Sequence, residues 1–164
     1  MVTLLLAERQ RFRHWFVWLL IAPGPVSLLW VIIALLTNNL IVGDTGTGYI
    51  LLVFAVAYGV GLPWFMYTTG LDTEVRETGL YIKFRPFHRK WISFKFEDIS
   101  KVEAVTYSPI KEYGGWGIRY GRKGKAYNVS GNKGLFVTLK NGRNIMIGSG
   151  NHEALYNLVS VRLK

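Results

Sequence analysis

Cysteine is absent from all 164 residues. Its absence excludes disulfide frameworks, thiolate metal sites and thiol nucleophiles. Acidic residues are scarce, with 10 Asp and Glu against 20 Lys and Arg. The first seventy residues hold little charge of either sign: Arg9, Arg11 and Arg13 against Glu8 and Asp44. Nearly all of the formal +10 therefore belongs to residues 71–164. Half of the chain is apolar and 15% is aromatic, so a disordered chain is excluded as well.

Two long stretches contain no charge at all, Trp15 to Leu36 and Tyr49 to Tyr67. A helix rises about 1.5 Å per residue, so roughly 20 apolar residues cross a hydrocarbon core of about 30 Å. Each stretch is long enough, and the rest of the chain is too small to bury both. The first is too long for the apolar region of a signal peptide, Pro23-Gly24-Pro25 interrupts it, and no A-x-A site follows at Thr37-Asn38-Asn39. A transmembrane helical hairpin is expected over 15–67. Residues 1–14 read as a basic lead-in. The connecting loop from Thr37 to Gly48 has no Lys or Arg, whereas basic residues flank both stretches. That asymmetry predicts cytoplasmic termini, with Trp15, Trp18, Trp64 and Tyr67 in the aromatic belt. Pro23 and Pro25 predict a kink or break in the first span. Gly24 lies between them, and Gly59 and Gly61 in the second span permit close helix approach.

After Gly70 the period becomes two. Leu80, Ile82 and Phe84 alternate with Tyr81, Lys83 and Arg85, and Ile92, Phe94 and Phe96 alternate with Ser93 and Lys95. Such alternation predicts half-buried strands with a turn at Pro86-Phe87-His88 between them. Further strands are expected at Lys101 to Tyr107, Ile118 to Tyr120, Lys125 to Val129, Leu135 to Lys140 and Arg143 to Ile147. Asn141-Gly142 reads as a two-residue hairpin, which pairs Val137 with Met146 and Phe136 with Ile147. A closing helix starts at the N-cap Asn151, with Glu153 at its positive end and Leu155, Leu158 and Val159 on its packing face. Six or seven antiparallel strands followed by one helix is the order of a bent, pleckstrin-homology-like (PH-like) barrel over 71–164.

Gly114-Gly115-Trp116-Gly117-Ile118-Arg119, Ala126-Tyr127-Asn128-Val129-Ser130-Gly131, Gly142-Arg143 and Ile147-Gly148-Ser149 carry a more specific likeness. They resemble the bacterial membrane-anchored PH-like domain proteins, many of which place a short transmembrane hairpin before the domain. The recognisable motif covers about 114–149. The family's Pro-containing helix start is replaced here by Gly150-Asn151-His152. The resemblance implies a binding or scaffold role without catalysis, at a bacterial inner membrane.

Other motifs have plain explanations. Gly43-Asp44-Thr45-Gly46-Thr47-Gly48 lacks the Gly-Lys-Ser/Thr ending of a phosphate loop. His14, His88 and His152 are far apart, and no metal site or cofactor is called for. Asn128-Val129-Ser130 matches a glycosylation acceptor but falls on the expected cytoplasmic side. Glu97-Asp98 at a strand end reads as a turn cap, no Ser-His-Asp arrangement is visible, and the chain does not read as an enzyme. Two basic clusters remain. One is Arg85, Arg89, Lys90 and Lys95 with Phe87 and Trp91; the other is Arg119, Arg122, Lys123 and Lys125. They read as contacts for anionic lipid or for a partner protein, against the plainer reading of a solvated face. Nucleic acid is not expected, because no recognition helix or RNA-binding motif accompanies the charge. The sequence-based expectation is an accessory or scaffold subunit of a larger membrane complex, whether respiratory, photosynthetic or a transporter. An anionic-lipid-sensing module is the alternative, and a membrane enzyme the remote one.

Overall fold

The computed structural model describes residues 3–12, 15–37 and 45–163. Arg13 and His14 of the lead-in, and residues 38–44 of the connecting loop, lie outside the described residues. The chain divides into two compact units. One comprises residues 13–68, and the other joins residues 1–12 to 69–164.

The helical unit contains α1 (Trp15–Ile21), α2 (Pro23–Leu36), α3 (Thr45–Val56) and α4 (Leu62–Thr68). Two helical stretches, Trp15–Leu36 and Gly48–Thr68, are long and apolar enough to cross a membrane. Only 22% and 11% of their apolar windows are covered within the protein. Trp15, Trp30, Phe54 and Trp64 are all well exposed. The prolines interrupt the first span only at Ala22. That residue keeps helical angles and its amide still donates to the Trp18 carbonyl at 2.9 Å.

Between α3 and α4 the helix widens to a π-turn, Ala57–Gly61. Pro63 accounts for it, because a proline has no amide to offer the carbonyl four residues back and its ring collides with that carbonyl. The wide turn sits where the two apolar helical stretches cross. A Cβ on Gly59 would lie 2.9 Å from the Gly24 carbonyl, and one on Gly24 would lie 2.7 Å from the Tyr58 carbonyl. Both positions need glycine for this approach. Gly61 takes no part, since it faces open space. The Tyr58 hydroxyl donates to the Leu20 carbonyl at 3.3 Å across the crossing.

Among the described residues the β unit has nine strands in two sheets, where the sequence reading expected six or seven. The first sheet has the order β1-β2-β3-β4: β1 (Leu4–Arg11), β2 (Gly70–Arg76), β3 (Gly79–Arg85) and β4 (Ile92–Lys95). The second has the order β5-β8-β9-β7-β6: β5 (Ile99–Thr106), β6 (Gly117–Gly121), β7 (Gly124–Asn128), β8 (Lys133–Leu139) and β9 (Asn144–Gly148). All pairings are antiparallel except β7 with β9, which run parallel. The expectation of a wholly antiparallel sheet is corrected on this point. The β6–β7 hairpin joins β9 on the side away from β8, so β7 runs with it. Helices α5 (Pro109–Tyr113) and α6 (His152–Ser160) complete the unit.

The core lies between the sheets and under α6. Leu71, Val75, Leu80, Ile82 and Phe84 from the first sheet meet Leu135, Val137, Ile145 and Ile147 from the second. Leu155 and Val159 of α6 are fully buried against them and Leu158 packs at the margin. Full burial of each such side chain contributes roughly 1.5–3 kcal/mol.

Two sequence expectations are corrected here. The stretch read as a lead-in is an edge strand: Leu4 to Arg11 pair antiparallel with Arg76 to Gly70. The β unit therefore begins before the apolar segment and resumes after it. The Asn141-Gly142 turn is also longer by one residue. The Leu139 amide donates to the Arg143 carbonyl, so Lys140, Asn141 and Gly142 form a three-residue loop with Gly142 at φ 80°. Asn141 Oδ1 accepts the Arg143 amide at 3.1 Å and holds that geometry. The register moves by one, to Phe136 opposite Met146 and Val137 opposite Ile145. In the expected register Val137, which faces the main core, would lie opposite Met146, which is buried on the other face with Tyr107, Tyr113 and Ala126, so the two apolar faces select the observed register.

Candidate functional site

Gly70 pairs with Arg11 on one side and Arg85 on the other. Those three residues mark one end of the first sheet. There the chain departs for the apolar segment and there it returns. Asp72, 6% exposed, sits just inside that end on β2. Its Oδ2 accepts Arg85 Nε at 2.6 Å. Its Oδ1 lies 3.3 Å from Arg9 Nε and 3.5 Å from Arg11 Nη1. One carboxylate thus gathers guanidinium groups from β1 and β3 and clips the edge strand to the sheet.

The first basic cluster divides. The turn after Arg85 carries Phe87, 61% exposed, followed by exposed Arg89 and Lys90. Trp91 instead folds back over the outer face of the sheet, with the Arg76 guanidinium 5.3 Å from its ring. Lys95 pairs with Gly79 in the register, at the opposite end of the sheet. It holds Glu97 there at 3.1 Å, which raises its pKa above the usual 10.5. Arg85, Phe87, Arg89 and Lys90 therefore share one end, Trp91 lines a groove on the outer face with Arg85 and Asp72, and Lys95 lies at the other end.

The second cluster divides too. Arg119 lies opposite Ala126 and donates its Nε to the Trp116 carbonyl at 3.0 Å. Lys123 reaches Glu112 of α5 at 2.7 Å, and that hydrogen bond, aided by the Ser108 amide, holds the Glu112 carboxyl below its usual range. Arg122 is exposed at the hairpin tip. Lys125 points elsewhere: its Nζ lies 4.9 Å from the Tyr127 ring and 5.1 Å from the ring of exposed Tyr120.

His88 connects what remains of the two clusters. Its ring meets Tyr127 edge-on at 5.7 Å. The β3–β4 turn thus abuts β7, where the Lys125 charge acts on the His88 ring. His88 Nδ1 accepts the Phe84 amide at 3.2 Å, and the His88 amide donates to the Phe84 carbonyl at 2.8 Å. Burial, then the Lys125 charge, lower the His88 pKa below its ordinary 6.5. Sequence reasoning placed this residue in the turn and set it aside as a metal ligand, without singling it out as a site residue. A histidine between Phe87 and Arg89 was a visible signal, but its partner Tyr127 is distant in the chain.

The motif that carries the family resemblance has structural work to do. Gly114 caps α5 with its amide on the Ile110 carbonyl, and Gly115 follows onto Pro109. Trp116 Nε1 donates to the Gly131 carbonyl at 3.1 Å. Asn128 is fully buried; its Oδ1 accepts the Gly117 amide and its Nδ2 donates to the Tyr107 hydroxyl, both at 2.9 Å. Gly148 and Ser149 receive β1: Gln10 Nε2 donates to the Gly148 carbonyl at 2.7 Å, and Ser149 Oγ to Glu8 at 2.5 Å. Asn151 flanks α6 but makes no side-chain cap, and Glu8 accepts the adjacent Gly150 amide instead.

Among the described residues, no group of three or more His, Asp or Glu side chains converges as a metal site would require. Comparison with protein-family models and with curated proteins finds no match for this chain.

Proposed function

We propose that the chain is a non-catalytic, membrane-anchored accessory protein of the bacterial inner membrane. The helical unit crosses the bilayer. The β unit, of PH-like kind, lies on the cytoplasmic side with its basic end against anionic head groups. One observation carries this reading. The sheet end from which the apolar segment departs and returns also bears Arg11, Arg85, Phe87, Arg89 and Lys90. A chain entering a bilayer there brings these groups to the interface, where each basic residue contributes about 1 kcal/mol toward anionic lipid. Phe87 suits the same depth.

The test is co-flotation of a β unit in which residues 1–12 are joined through a short linker to 69–164. Binding to anionic vesicles that fades as salt rises is expected, because exposed charges are screened over about 8–10 Å. Equal binding to neutral and anionic vesicles, or none, would defeat the lipid part of the reading. Service to a larger membrane assembly is supported by the uncovered apolar flanks of both spans, where Trp30 and Phe54 stand out. Co-purification of partner subunits in gentle detergent tests it, and migration as a free monomer would count against it.

A further inference from the structure

The two hydrogen bonds between Phe84 and His88 close the turn that carries Phe87. A ring nitrogen accepts a hydrogen bond only when it bears no proton, so the neutral His88 ring carries its hydrogen on Nε2. A second proton would go to Nδ1 and set it, as a donor, against the donating Phe84 amide. The groups facing the ring from β7 are Tyr127 and Lys125, and Arg85, Arg89 and Lys90 flank it on its own turn. Among the described residues no carboxylate acts on the ring; the charge that does is the Lys125 ammonium.

We propose that His88 is a proton-operated latch, which when neutral holds the Phe87–Lys90 turn against β7 and when protonated releases it into an anionic bilayer. This rests on the head-group reading above and names how that contact is regulated. Two opposed effects set when the latch opens. Burial and Lys125 keep the ring neutral in bulk water at neutral pH. An anionic surface concentrates protons about threefold, so the membrane itself promotes release. The new charge then adds to the attraction between Arg89, Lys90 and the lipid.

The absence of cysteine makes the test simple. A Phe87→Cys full-length chain carrying an environment-sensitive fluorophore is placed in nanodiscs of anionic or neutral lipid with brominated acyl chains. In anionic discs, quenching is expected to rise severalfold as pH falls below about 6.5. The rise should vanish in His88→Asn, whose side-chain oxygen can accept the Phe84 amide but does not titrate. Nitrogen NMR of His88 in the unlabelled chain should show an unprotonated Nδ1 at neutral pH. Strong quenching at every pH would uphold the head-group contact and overturn the latch. An equal pH response in His88→Asn would also overturn it. No quenching at any pH in either lipid would overturn both readings.

Discussion

The helical unit and the β unit encode themselves differently. The two long apolar helical stretches announce themselves by composition, since charge-free runs of this length read the same wherever they fall. The β unit depends on strands far apart in the chain, because β1 must find β2 across the whole apolar segment. In the helical unit, one glycine crossing brings the two spans into closest approach. The β unit is held by a shared core, a buried carboxylate clip and polar ties from β1 to the start of α6. Local composition thus locates an element, while its partner is fixed by complementarity that only the folded chain displays.

The largest expected effect follows from that dependence. A fragment of residues 71–164 lacks β1, which exposes Leu71 and Val75 at a new sheet edge and leaves Asp72 without Arg9 and Arg11. It should be largely unfolded or aggregated by circular dichroism, whereas residues 1–12 linked to 69–164 should melt cooperatively. Equal folding of both would show that β1 is dispensable.

Next comes the core under α6. Leu155→Ala should cost about 2–5 kcal/mol in chemical denaturation of the linked β unit. A cost below ~1 kcal/mol would place α6 outside the cooperative core.

A smaller effect is expected at the clip. Asp72→Asn removes the charge that Arg9, Arg11 and Arg85 share, and the partly exposed guanidinium groups limit the loss to about 2 kcal/mol. Amide exchange should quicken in β1 more than in β9. Uniform quickening would argue that the clip supports the whole unit instead of its edge.

The smallest concerns Glu112 and Lys123. The folded Glu112 pKa is depressed by the Lys123 hydrogen bond, so its stabilisation is present above the ordinary carboxyl value and is lost as pH falls through the lower folded value. Lys123→Ala should flatten that acid-side slope and change neutral-pH stability by less than about 1 kcal/mol. An unchanged slope would remove the pair from the account.

Much of the β unit was legible from alternation. Leu80, Ile82 and Phe84 are buried as their period requires, and so are Leu155 and Val159 on α6. Asn141-Gly142 revealed a hairpin, but only the Asn141 side-chain bond and the Gly142 conformation set its length, and hence its register. β1 was misread because Arg9, Arg11 and Arg13 before an apolar run satisfy the positive-inside pattern as well as a strand does. Leu4-Leu5-Leu6 ahead of alternating Glu8, Arg9, Gln10 and Arg11 was the overlooked signal. The basic clusters were visible as charge, yet their division could not be read. Neighbours in sequence such as Phe87 and Trp91 diverge, while His88 and Tyr127 meet through the fold.

The measurement closest to the central claim compares the two ends of the first sheet. Single cysteines at Phe87 and at Lys95 would each carry a fluorophore in full-length protein, in anionic bilayers bearing spin labels at head-group depth. Stronger quenching at position 87 than at 95 is predicted, because 87 shares the end where the apolar segment departs and 95 lies at the other. Equal quenching at both, or stronger quenching at 95, would contradict it.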